Sequence, residues 1–594
     1  EFAYSTTNRR VHESGGYVAM WDFWGGGLNY NTKLPGSSAD EVEFTSYRTT
    51  QITSNTYATF EKDFGEHNLK VTAGVNIETG QSQMQMSKKM GLMDKELGQL
   101  PLATGAATVN GSASDWAVAG WFARVNYNYK NRYLAEVNGR YDGSSNFPSH
   151  SRWAFFPSFS LGYRVSEEPF FAPVKQVVSD MKIRGSYGLI GNQNVGADRF
   201  IPTMSTAYAS WLVDGAKVLY TGLPANVSSS LYWEDVATLD IGVDLRFLGN
   251  KYGITFDWFQ RTNRNMLSVG ETLPETFGTA AAMVNDGRLR TRGWEITIDG
   301  SHSFGNGLSI YGNVNISDYK SVITEWNANS GNLLTSNYKG KTIGEIWGFE
   351  TDRYFTSAED VASSPSQVGL QTGNFVFGPG DIKYKDLNGD NVINAGKSTL
   401  QDHGDLKVIG NTTPRYQYSI RVGGAWKGID MDIYLQGIGR SQLWATGNEA
   451  IPYYRGADVM YEHQMDFWSP ENPNARYPPP YTGNGSTAIS GIRYMANAAA
   501  NSGNNFYPQT KYLLNLSYLR MKNLTIGYSL PHKIISRANL TKCRIYFSGE
   551  NLFEFSQKKI PIDPEITAGS ETSNFYGRTA PFERIISFGV QLGM

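Results

Sequence analysis

The sequence contains very little cysteine, since Cys543 is the only one among its 594 residues. One thiol excludes an internal disulfide framework and any metal site built from several cysteines. The seven histidines are scattered along the chain, and none forms the paired motif of a zinc protease. Neither a Gly-x-Ser-x-Gly nucleophile elbow nor a phosphate-binding loop is present. We therefore expect the protein not to be an enzyme.

Charge is also scarce. Charged residues make up 18% of the chain, whereas soluble domains carry about 25%. No block of basic residues indicates nucleic-acid binding, so we expect no nucleic-acid partner. No run of about 18 apolar residues exists that would form a transmembrane helix. The first residues have neither the basic nor the apolar part of a signal peptide, which we expect to have been removed or to lie upstream.

Aromatic residues and glycine are abundant instead. The chain is 13% aromatic, with 35 tyrosines, and contains 63 glycines. Tyrosine and tryptophan combine an apolar body with a polar tip, which suits the interface between lipid tails and water. The mean hydropathy of −0.39 is compatible with strands in which only alternate residues face lipid. Composition therefore favours one large β-barrel over several soluble domains.

Apolar and polar residues alternate in segments of about ten residues, the length that a tilted strand needs to cross a bilayer. In residues 121–129, Trp, Ala, Val and Tyr alternate with Arg and Asn, and residues 133–142 repeat the pattern after a short turn. Similar segments lie at 158–165, 181–187, 239–247, 308–316, 416–422 and 523–530. A charge at the bilayer midplane costs about 2–4 kcal/mol, so the charged face must line a wet interior. A soluble β-sandwich also alternates, but its apolar face is internal and its strands are shorter.

The connections between these segments alternate between short and long. Short ones lie near 64–68, 130–132, 248–253, 304–307 and 426–428, and medium ones near 166–180 and 531–541 share their side. Long ones span 81–116, 191–235, 266–289, 318–412 and 440–516. Outer-membrane barrels have short periplasmic turns and long extracellular loops. The pattern predicts an all-β, transmembrane antiparallel β-barrel with about fifteen or sixteen strands after residue 57 and an uncertain strand near 17–30. Its last strand is expected to end at Met594.

Several longer stretches are similar to one protein family. They are NYNYKNRY at 126–133, RYDGSSNF at 140–147, RGSYG at 184–188, RGWE at 292–295, IGEIWG at 343–348, YLRMKNL at 518–524 and YFSGENLF at 546–553. In their order and spread they resemble the SusC/RagA-like family of TonB-dependent outer-membrane transporters. The resemblance implies a barrel of about 22 strands around a plug domain, of which residues 1–594 are the C-terminal part. The plug and the missing strands are then expected upstream or on another chain, because unpaired strand edges are not tolerated in lipid.

The resemblance also implies a function and partners. Such a protein imports oligosaccharides or oligopeptides across the outer membrane of a Gram-negative bacterium. A SusD-like lipoprotein forms a lid over it, two such pairs form a dimer, and the TonB–ExbB–ExbD complex supplies energy. The residues alone leave two alternatives open, namely a passive porin and a soluble β-rich extracellular protein that binds or hydrolyses glycans.

One loop segment has the spacing of a calcium-binding loop. Its oxygen donors are Asp386, Asn388, Asp390, the carbonyl of Val392, and Asn394. It departs from that pattern at two positions. Asn391 stands where calcium-binding loops usually have glycine, and Lys397 stands where they usually have glutamate. The resemblance implies that Asp405 is the last ligand instead. Segment 386–405, within the long extracellular loop 318–412, is thus predicted to bind Ca²⁺, or Mg²⁺ in its place. The alternative is an Asx-rich turn without a metal.

Aromatic residues in the loops are candidates for substrate contact. They are Trp211, Trp347, Tyr453, Tyr454 and Trp468. Each could stack on a sugar ring or pack against a peptide side chain, and each could equally pack within its loop or against the lid lipoprotein. Four arginines on the polar strand faces, at 124, 140, 184 and 421, could bind an anionic substrate or acids of the plug, and we favour the plug.

Overall fold

The computed structural model describes most of the chain. The described residues are 2–13, 18–22, 29–33, 41–94, 97–196, 199–372, 375–447, 449–452, 460–482, 493–494, 504–538, 540–557, 560–565 and 582–593. Within these ranges no helix has the length and apolar character needed to cross a membrane.

One sheet of seventeen strands dominates the structure. Its strands are β1 (Phe2–Glu13), β2 (Glu41–Phe64), β3 (His67–Met90), β4 (Thr108–Tyr129), β5 (Tyr133–Ser144), β6 (Trp153–Arg164), β7 (Val178–Asn192), β8 (Glu234–Phe247), β9 (Tyr252–Val269), β10 (Met283–Ser303), β11 (Ser309–Trp326), β12 (Arg415–Trp426), β13 (Ile429–Arg440), β14 (Tyr518–Ser529), β15 (Lys542–Glu550), β16 (Glu554–Ser556) and β17 (Ile585–Gly593). Every pairing is antiparallel, and each strand pairs with the next along the chain from β1 to β15. Strands β15 and β16 both pair with β14, and β17 pairs with β15.

The predicted fold class is confirmed, and the strand count is close to the prediction. Since β15 and β16 occupy one row, β2 to β17 form fifteen rows and β1 adds a sixteenth beside residues 41–52. The uncertain strand predicted near 17–30 falls on residues 18–22, but it does not join the large sheet. Val18–Asp22 pairs there with Asn29–Lys33 as a separate hairpin. Strands of five residues are too short to cross a bilayer, which takes about 9–11. The last strand runs to Gly593, and Met594 lies outside the described residues.

Small elements occupy the connections. Two-stranded pairs are Thr206–Val213 with Ala216–Thr221, Glu345–Phe349 with Leu406–Asn411, Thr351–Tyr354 with Ile382–Tyr384, Gln442–Leu443 with Leu514–Asn515, and Tyr481–Thr482 with Arg493–Tyr494. The α-helices are Ala358–Ser363 and His532–Ile535. Single 3-10 turns are Leu100–Leu102, Val165–Glu167, Pro169–Phe171, Glu275–Phe277, Val368–Leu370, Glu462–Gln464, Asn504–Phe506 and Ser536–Ala538.

The long connections all lie at one end of the sheet, which we call the loop end. They include 91–107, 193–233, 270–282, 327–414 and 441–517, and the opposite end has the tight turns and two medium connections, 165–177 and 530–541. Four of these five are shorter than their predicted windows because the strands continue further, as β11 does to Trp326, and 441–517 is as long as the predicted 440–516. Strands β2, β3 and β4 have 22 to 24 residues, about twice the length that a bilayer requires. These three strands therefore project beyond the membrane.

The apolar face of the strands is exposed. Tyr127, Val137, Ile241 and Phe588 expose 39%, 58%, 48% and 81% of their surface. In a sandwich these side chains would be buried between two sheets. The soluble alternative is therefore wrong, because this face can only be covered by lipid.

Two clusters of aromatic side chains on this face mark the membrane boundaries. At the turn end the rings of Tyr129, Tyr133 and Tyr163 stack with centroid distances of 6.2 and 5.1 Å. Towards the loop end the rings of Tyr141 and Trp153 stack at 5.4 Å beside Trp121. Tyr133 and Tyr141 are eight residues apart on β5, which corresponds to about 27 Å of strand. Since barrel strands are tilted by about 35–45°, this span is roughly 20 Å along the membrane normal, close to the apolar band of about 25 Å around outer-membrane barrels.

A lysine in place of Val137 should destabilise the barrel, because Val137 lies midway between the two aromatic clusters and faces lipid. We expect Val137→Lys to lower the free energy of unfolding by about 2–4 kcal/mol. The measurement is urea unfolding of the full-length protein in lipid bilayers. Ser160→Lys is the matched control, because Ser160 lies on the opposite face beside Glu136. Equal losses for the two variants would contradict the assignment of the faces.

Candidate functional site: the two long loops and the inner wall

The two longest connections, 327–414 and 441–517, share one hydrophobic core. Its buried members are Phe349, Tyr354, Phe355, Leu370, Phe375, Phe377, Ile382, Tyr384 and Ile393. All nine belong to the first connection, and Trp468, Tyr507 and Tyr512 of the second pack against them. Because side chains of the second connection cover the core of the first, the two form one folded unit at the loop end, which we call the loop unit.

Buried hydrogen bonds join the two connections within this unit. The Asn505 side chain accepts a bond from the Ile382 N–H at 2.7 Å and donates to Asp381 Oδ1 at 2.8 Å. The Gln509 amide donates to the Tyr384 hydroxyl at 3.1 Å. Burial raises the pKa of the Tyr384 phenol well above its ordinary value, so this hydroxyl stays neutral. A buried polar group without a partner would cost about 1–3 kcal/mol, so these bonds fix how the two connections fit together.

The predicted calcium loop forms a compact turn in the first connection. Both carboxylate oxygens of Asp386 accept backbone N–H groups, from Gly389 at 2.6 Å and Asn391 at 2.8 Å. Desolvation, the largest influence on the pKa of Asp386, raises it, but the backbone N–H groups together hold that pKa below its usual range. Asn391 has φ of +63°, a left-handed conformation that asparagine tolerates. Asparagine therefore supplies the turn that glycine makes in calcium loops.

Asp405, eleven residues after Asn394, returns to contact this loop. Its side chain is fully buried, and its oxygens accept the N–H groups of Leu387 at 2.7 Å and Asn394 at 2.9 Å. It thereby ties both ends of the loop together. Among the described residues, no three or more His, Cys, Asp or Glu side chains are grouped in a way that could hold a metal. Asp405 thus lies next to the loop, and its role as a ligand stays a prediction.

The remaining predicted donors are all hard oxygens on one short turn. Asp386, Asn388, Asp390 and Asn394 alternate along it, with the Val392 carbonyl between the last two. The Asp390 side chain accepts the Val392 N–H at 2.8 Å, and the Asn394 amide donates to the Val392 carbonyl at 3.1 Å. Each carboxylate oxygen has a second lone pair beyond the one that the backbone uses. The donor chemistry therefore fits Ca²⁺.

The predicted aromatic contacts lie on three different elements. Trp211 is 59% exposed on a hairpin, where it stacks on Tyr220. The indole N–H of Trp347 donates to Glu345 Oε1 at 2.9 Å, so this ring is fixed within the loop unit. Trp468 lines a cavity of about 790 Å³ together with Tyr354 and Lys511. Tyr453 and Tyr454 lie outside the described residues.

The arginines on the inner face are paired within the barrel wall. Arg184 binds three carboxylates, at 3.2 Å to Asp240, 3.2 Å to Asp244 and 2.8 Å to Asp257. Arg421 binds Asp432 at 2.9 Å, and Arg140 binds Asp142 at 2.8 Å, while Arg124 bonds to Asn138. Contacts of these arginines with a substrate or with a plug both stay predictions.

Sequence reasoning missed a repeated arrangement on the inner face, in which an aromatic ring lies over a glycine of the neighbouring strand. Phe122 lies over Gly74 and Trp116 over Gly80. A Cβ atom at Gly80 would be 2.4 Å from the Trp116 Nε1 atom. The sequence alone gives no sign of this contact, because it depends on the strand register that pairs residue 80 with residue 116.

An antiparallel sheet with a lipid-facing apolar side, a charged inner side and long loops at one end defines an outer-membrane β-barrel protein. Residues 2–552 match the family described as "TonB dependent receptor-like, beta-barrel". Because this match covers most of the sequence, the chain belongs to the TonB-dependent receptor β-barrel family.

Curated relatives and solved structures agree with this assignment. TonB-dependent receptor P3 of Formosa agariphila is 26% identical over 544 residues, which are 88% of this chain and 50% of that protein. TonB-dependent receptor SusC of Bacteroides thetaiotaomicron is 26% identical over 78% of this chain and 42% of its own length. The chain thus spans about half the length of the curated relatives it matches. The RagAB peptide importer in its open-open state has the same fold, with a TM-score of 0.74 and 17% identity over 100% of this chain and 58% of that one.

Removal of the Asn505 side chain should loosen the loop unit, because it takes away the acceptor of the Ile382 N–H and a donor to the buried Asp381. We expect Asn505→Ala to lower the stability of this unit by about 1–3 kcal/mol. Hydrogen exchange at residues 349–384 of the full-length protein measures the change. The exposed Asn474, replaced by alanine, is the control. Undiminished protection in Asn505→Ala would show that these bonds do not join the two connections.

Proposed function

We propose that the protein imports oligomeric nutrients, oligosaccharides or oligopeptides, across the outer membrane with energy delivered through TonB. Two facts together carry this proposal. The chain belongs to the TonB-dependent receptor β-barrel family, and the charged face of its sheet lines the interior. A sheet of sixteen rows already corresponds to barrels with an aqueous lumen, and about 22 strands to barrels with a plugged one. The lumen is thus wide enough for solutes larger than a single sugar or amino acid.

Strand edges support the presence of further strands in the whole protein. Residues 54–64 of β2 pair with β3 on one side, whereas the described pairing with β1 on the other side covers residues 41–52. An unpaired edge in hydrocarbon leaves N–H and C=O groups without partners, at several kcal/mol each. We therefore propose that additional strands complete the wall and that a plug domain fills it. The arginines of the inner face would then contact the plug while they remain paired with side chains of the barrel wall.

The loop unit supports a partner on the outer surface. It combines 327–414 and 441–517 into one folded body with its own buried core at the loop end. Such a body offers a preformed docking surface, which limits the loss of conformational freedom on binding. SusC is among the relatives, and the fold is that of the RagAB importer. We propose that a SusD-like lipoprotein binds here as a lid and that two such pairs form a dimer.

Energy dependence separates the proposed importer from a passive porin. Mass spectrometry of ligands that co-purify with the full-length protein identifies an oligomer, whose labelled form is then supplied to cells of the producing bacterium. We expect an uncoupler of the inner-membrane proton gradient to abolish uptake, because a plugged barrel opens only when TonB acts on it. Uptake at an undiminished rate in uncoupled cells would establish a porin instead.

We further propose that the turn at 386–394 binds Ca²⁺ and thereby stiffens the loop unit. Asp386, Asn388, Asp390, Val392 and Asn394 would supply the ligand oxygens, and Asp405 holds the turn in shape or adds the last ligand. A bound hard cation would neutralise the two carboxylates of the turn, the half-buried Asp386 and the exposed Asp390. This role is structural, since the turn lies in a loop and not on the barrel wall.

Calcium should protect the first long connection from proteolysis in the full-length protein. We expect cleavage within 327–414 to be slower in CaCl₂ than in EGTA, and the double variant Asp386→Ala/Asp390→Ala to be cleaved at the EGTA rate in both. Asp402→Ala is the control, because Asp402 is an exposed acid of the same segment outside the proposed donor set. Identical cleavage of the unaltered protein with and without EGTA would leave an Asx-rich turn without a metal.

A further inference from the structure

Three basic side chains lie close together on β10 and β11, towards the loop end. Arg292 of β10 is directly opposite Lys320 of β11 in the sheet register. Arg290 lies two residues further along β10 and therefore belongs to the same face. Arg292 and Lys320 are exposed, and Arg290 is half-buried. We call these three residues the basic cluster.

The register places the basic cluster on the outer face of the wall. Ile241, whose side chain faces lipid, is paired with Trp258, and Trp258 is paired with Trp294. Arg292 is two residues from Trp294 on the same strand and therefore points outward as well. The proposed plug lies on the opposite side of the wall, so it leaves the basic cluster uncovered.

The basic cluster lies just beyond the membrane boundary. On β10 the outward residues Trp294 and His302 are eight positions apart, the same separation as between the two aromatic clusters on β5. His302 belongs to the turn end, where its ring lies 4.4 Å from that of Phe304, so Trp294 marks the boundary at the loop end. Arg292 is two residues beyond it, about 7 Å along the strand and roughly 5 Å along the membrane normal. This is the depth of the lipid headgroups.

An acid from the described residues does not compensate the charges of the cluster. Within that part of the chain, no carboxylate oxygen lies within 4.0 Å of a side-chain nitrogen of Arg290, Arg292 or Lys320. Like charges directly opposite each other on neighbouring strands destabilise a sheet. The Nε–H of Arg292 donates to a neutral group, Gln260 Oε1, at 2.7 Å. The other four N–H groups of this guanidinium and the ammonium of Lys320 are suited to bind an anion.

The acids that surround the basic cluster on this face bind other cations. The pairs are Asp318 with Arg415, Glu325 with Arg288 at 2.8 Å, and Asp235 with Arg264 at 3.8 Å. Asp318 lies one row nearer the membrane, opposite Trp294, and both of its oxygens are bound by the Arg415 guanidinium. Each pair is electrically neutral, so the positive charge of the cluster remains.

The surface between the basic cluster and the middle of the membrane is apolar. Towards the membrane centre the next outward residues are Ile296 and Ile298 on β10 and Ile316 and Val314 on β11. Ile298 and Val314 expose 49% and 39% of their surface. A soluble anion would contact the cluster alone, whereas an anionic lipid would cover both the cluster and this apolar surface. Basic groups at a membrane surface attract anionic headgroups, and a guanidinium binds phosphate through two parallel hydrogen bonds.

We propose that Arg290, Arg292 and Lys320 bind the phosphate groups of a lipid in the outer leaflet, whose acyl chains lie on the apolar surface below them. A phosphate between Arg292 and Lys320 replaces their mutual repulsion with attraction to both. The bound lipid thereby stabilises this part of the wall and holds it at a fixed depth in the membrane.

The test counts the lipids that are bound to the full-length protein in a neutral detergent, by native mass spectrometry. The probes are bisphosphorylated lipid A and, as a counterpart without phosphate, a monogalactosyl diacylglycerol. We expect lipid A to bind and Arg292→Gln/Lys320→Gln to weaken its binding about thirtyfold, because each basic residue near an anionic lipid contributes about fivefold in affinity. Arg290→Gln alone should weaken binding about fivefold for the same reason.

Lys251→Gln/Lys427→Gln is the matched control, because these exposed lysines lie in tight turns at the opposite end of the sheet. This variant loses the same charge and should bind lipid A like the unaltered protein. Heat-dependent gel mobility shows whether each variant is folded, and Lys320→Gln alone replaces the double variant if that one is not. Lipid A should also raise the unfolding temperature of the unaltered protein but not of the double variant, because a ligand of the folded state stabilises it.

Equal affinity of the double variant and the unaltered protein for lipid A would overturn the proposed site, as would equal binding of the galactolipid. Displacement of lipid A by millimolar inorganic phosphate would assign the cluster to a soluble anion instead. Unchanged lipid binding together with loss of dimers in the double variant would show that the cluster is an interface between two copies of the protein.

Discussion

This structure depends on one constraint, which is that its sheet must face hydrocarbon on one side and water on the other. In lipid every backbone N–H and C=O must be bonded within the protein, and no charged side chain can face outward without a large cost. Antiparallel pairing from β1 to β17 meets the first requirement along the sheet. Alternation meets the second, because it sends Val137 and Ile241 outward while Glu136 and Asp240 point to the lumen.

The same constraint explains how charge is arranged inside. The inner face collects the acids and arginines that lipid excludes, and these pair across neighbouring strands, as Arg184 does with Asp240 and Asp257. Beyond the membrane boundary both faces of β2, β3 and β4 meet water, so the sheet is free there to carry amides and an aromatic ring such as Trp116. The long connections at that end have no lipid to cover them, and they bury their rings against one another in the loop unit.

The sequence predicts the part of the fold that lipid dictates. The alternation in residues 121–129 and 133–142 is imposed residue by residue, so it identified those strands and their outward faces correctly. It failed where lipid is absent: the outer halves of β2 to β4 and the strand Phe2–Glu13 have water on both sides and carry no apolar period. Asn505 and Asp381 are 124 positions apart, and no local pattern connects them. The contact of Trp116 with Gly80 also depends on a register that a single strand does not encode.

The most direct measurement is the accessibility of single spin labels along β5 and β6 in lipid bilayers, in the full-length protein with Cys543 replaced by serine. Labels at Val137, Phe159 and Leu161 should be relaxed by oxygen dissolved in the lipid, and labels at Asn138, Ser158 and Ser160 by a water-soluble nickel complex, with a period of two residues. Equal accessibility of the two sets, or protection of the first set from both reagents as in a protein core, would contradict a barrel wall between lipid and a wet lumen.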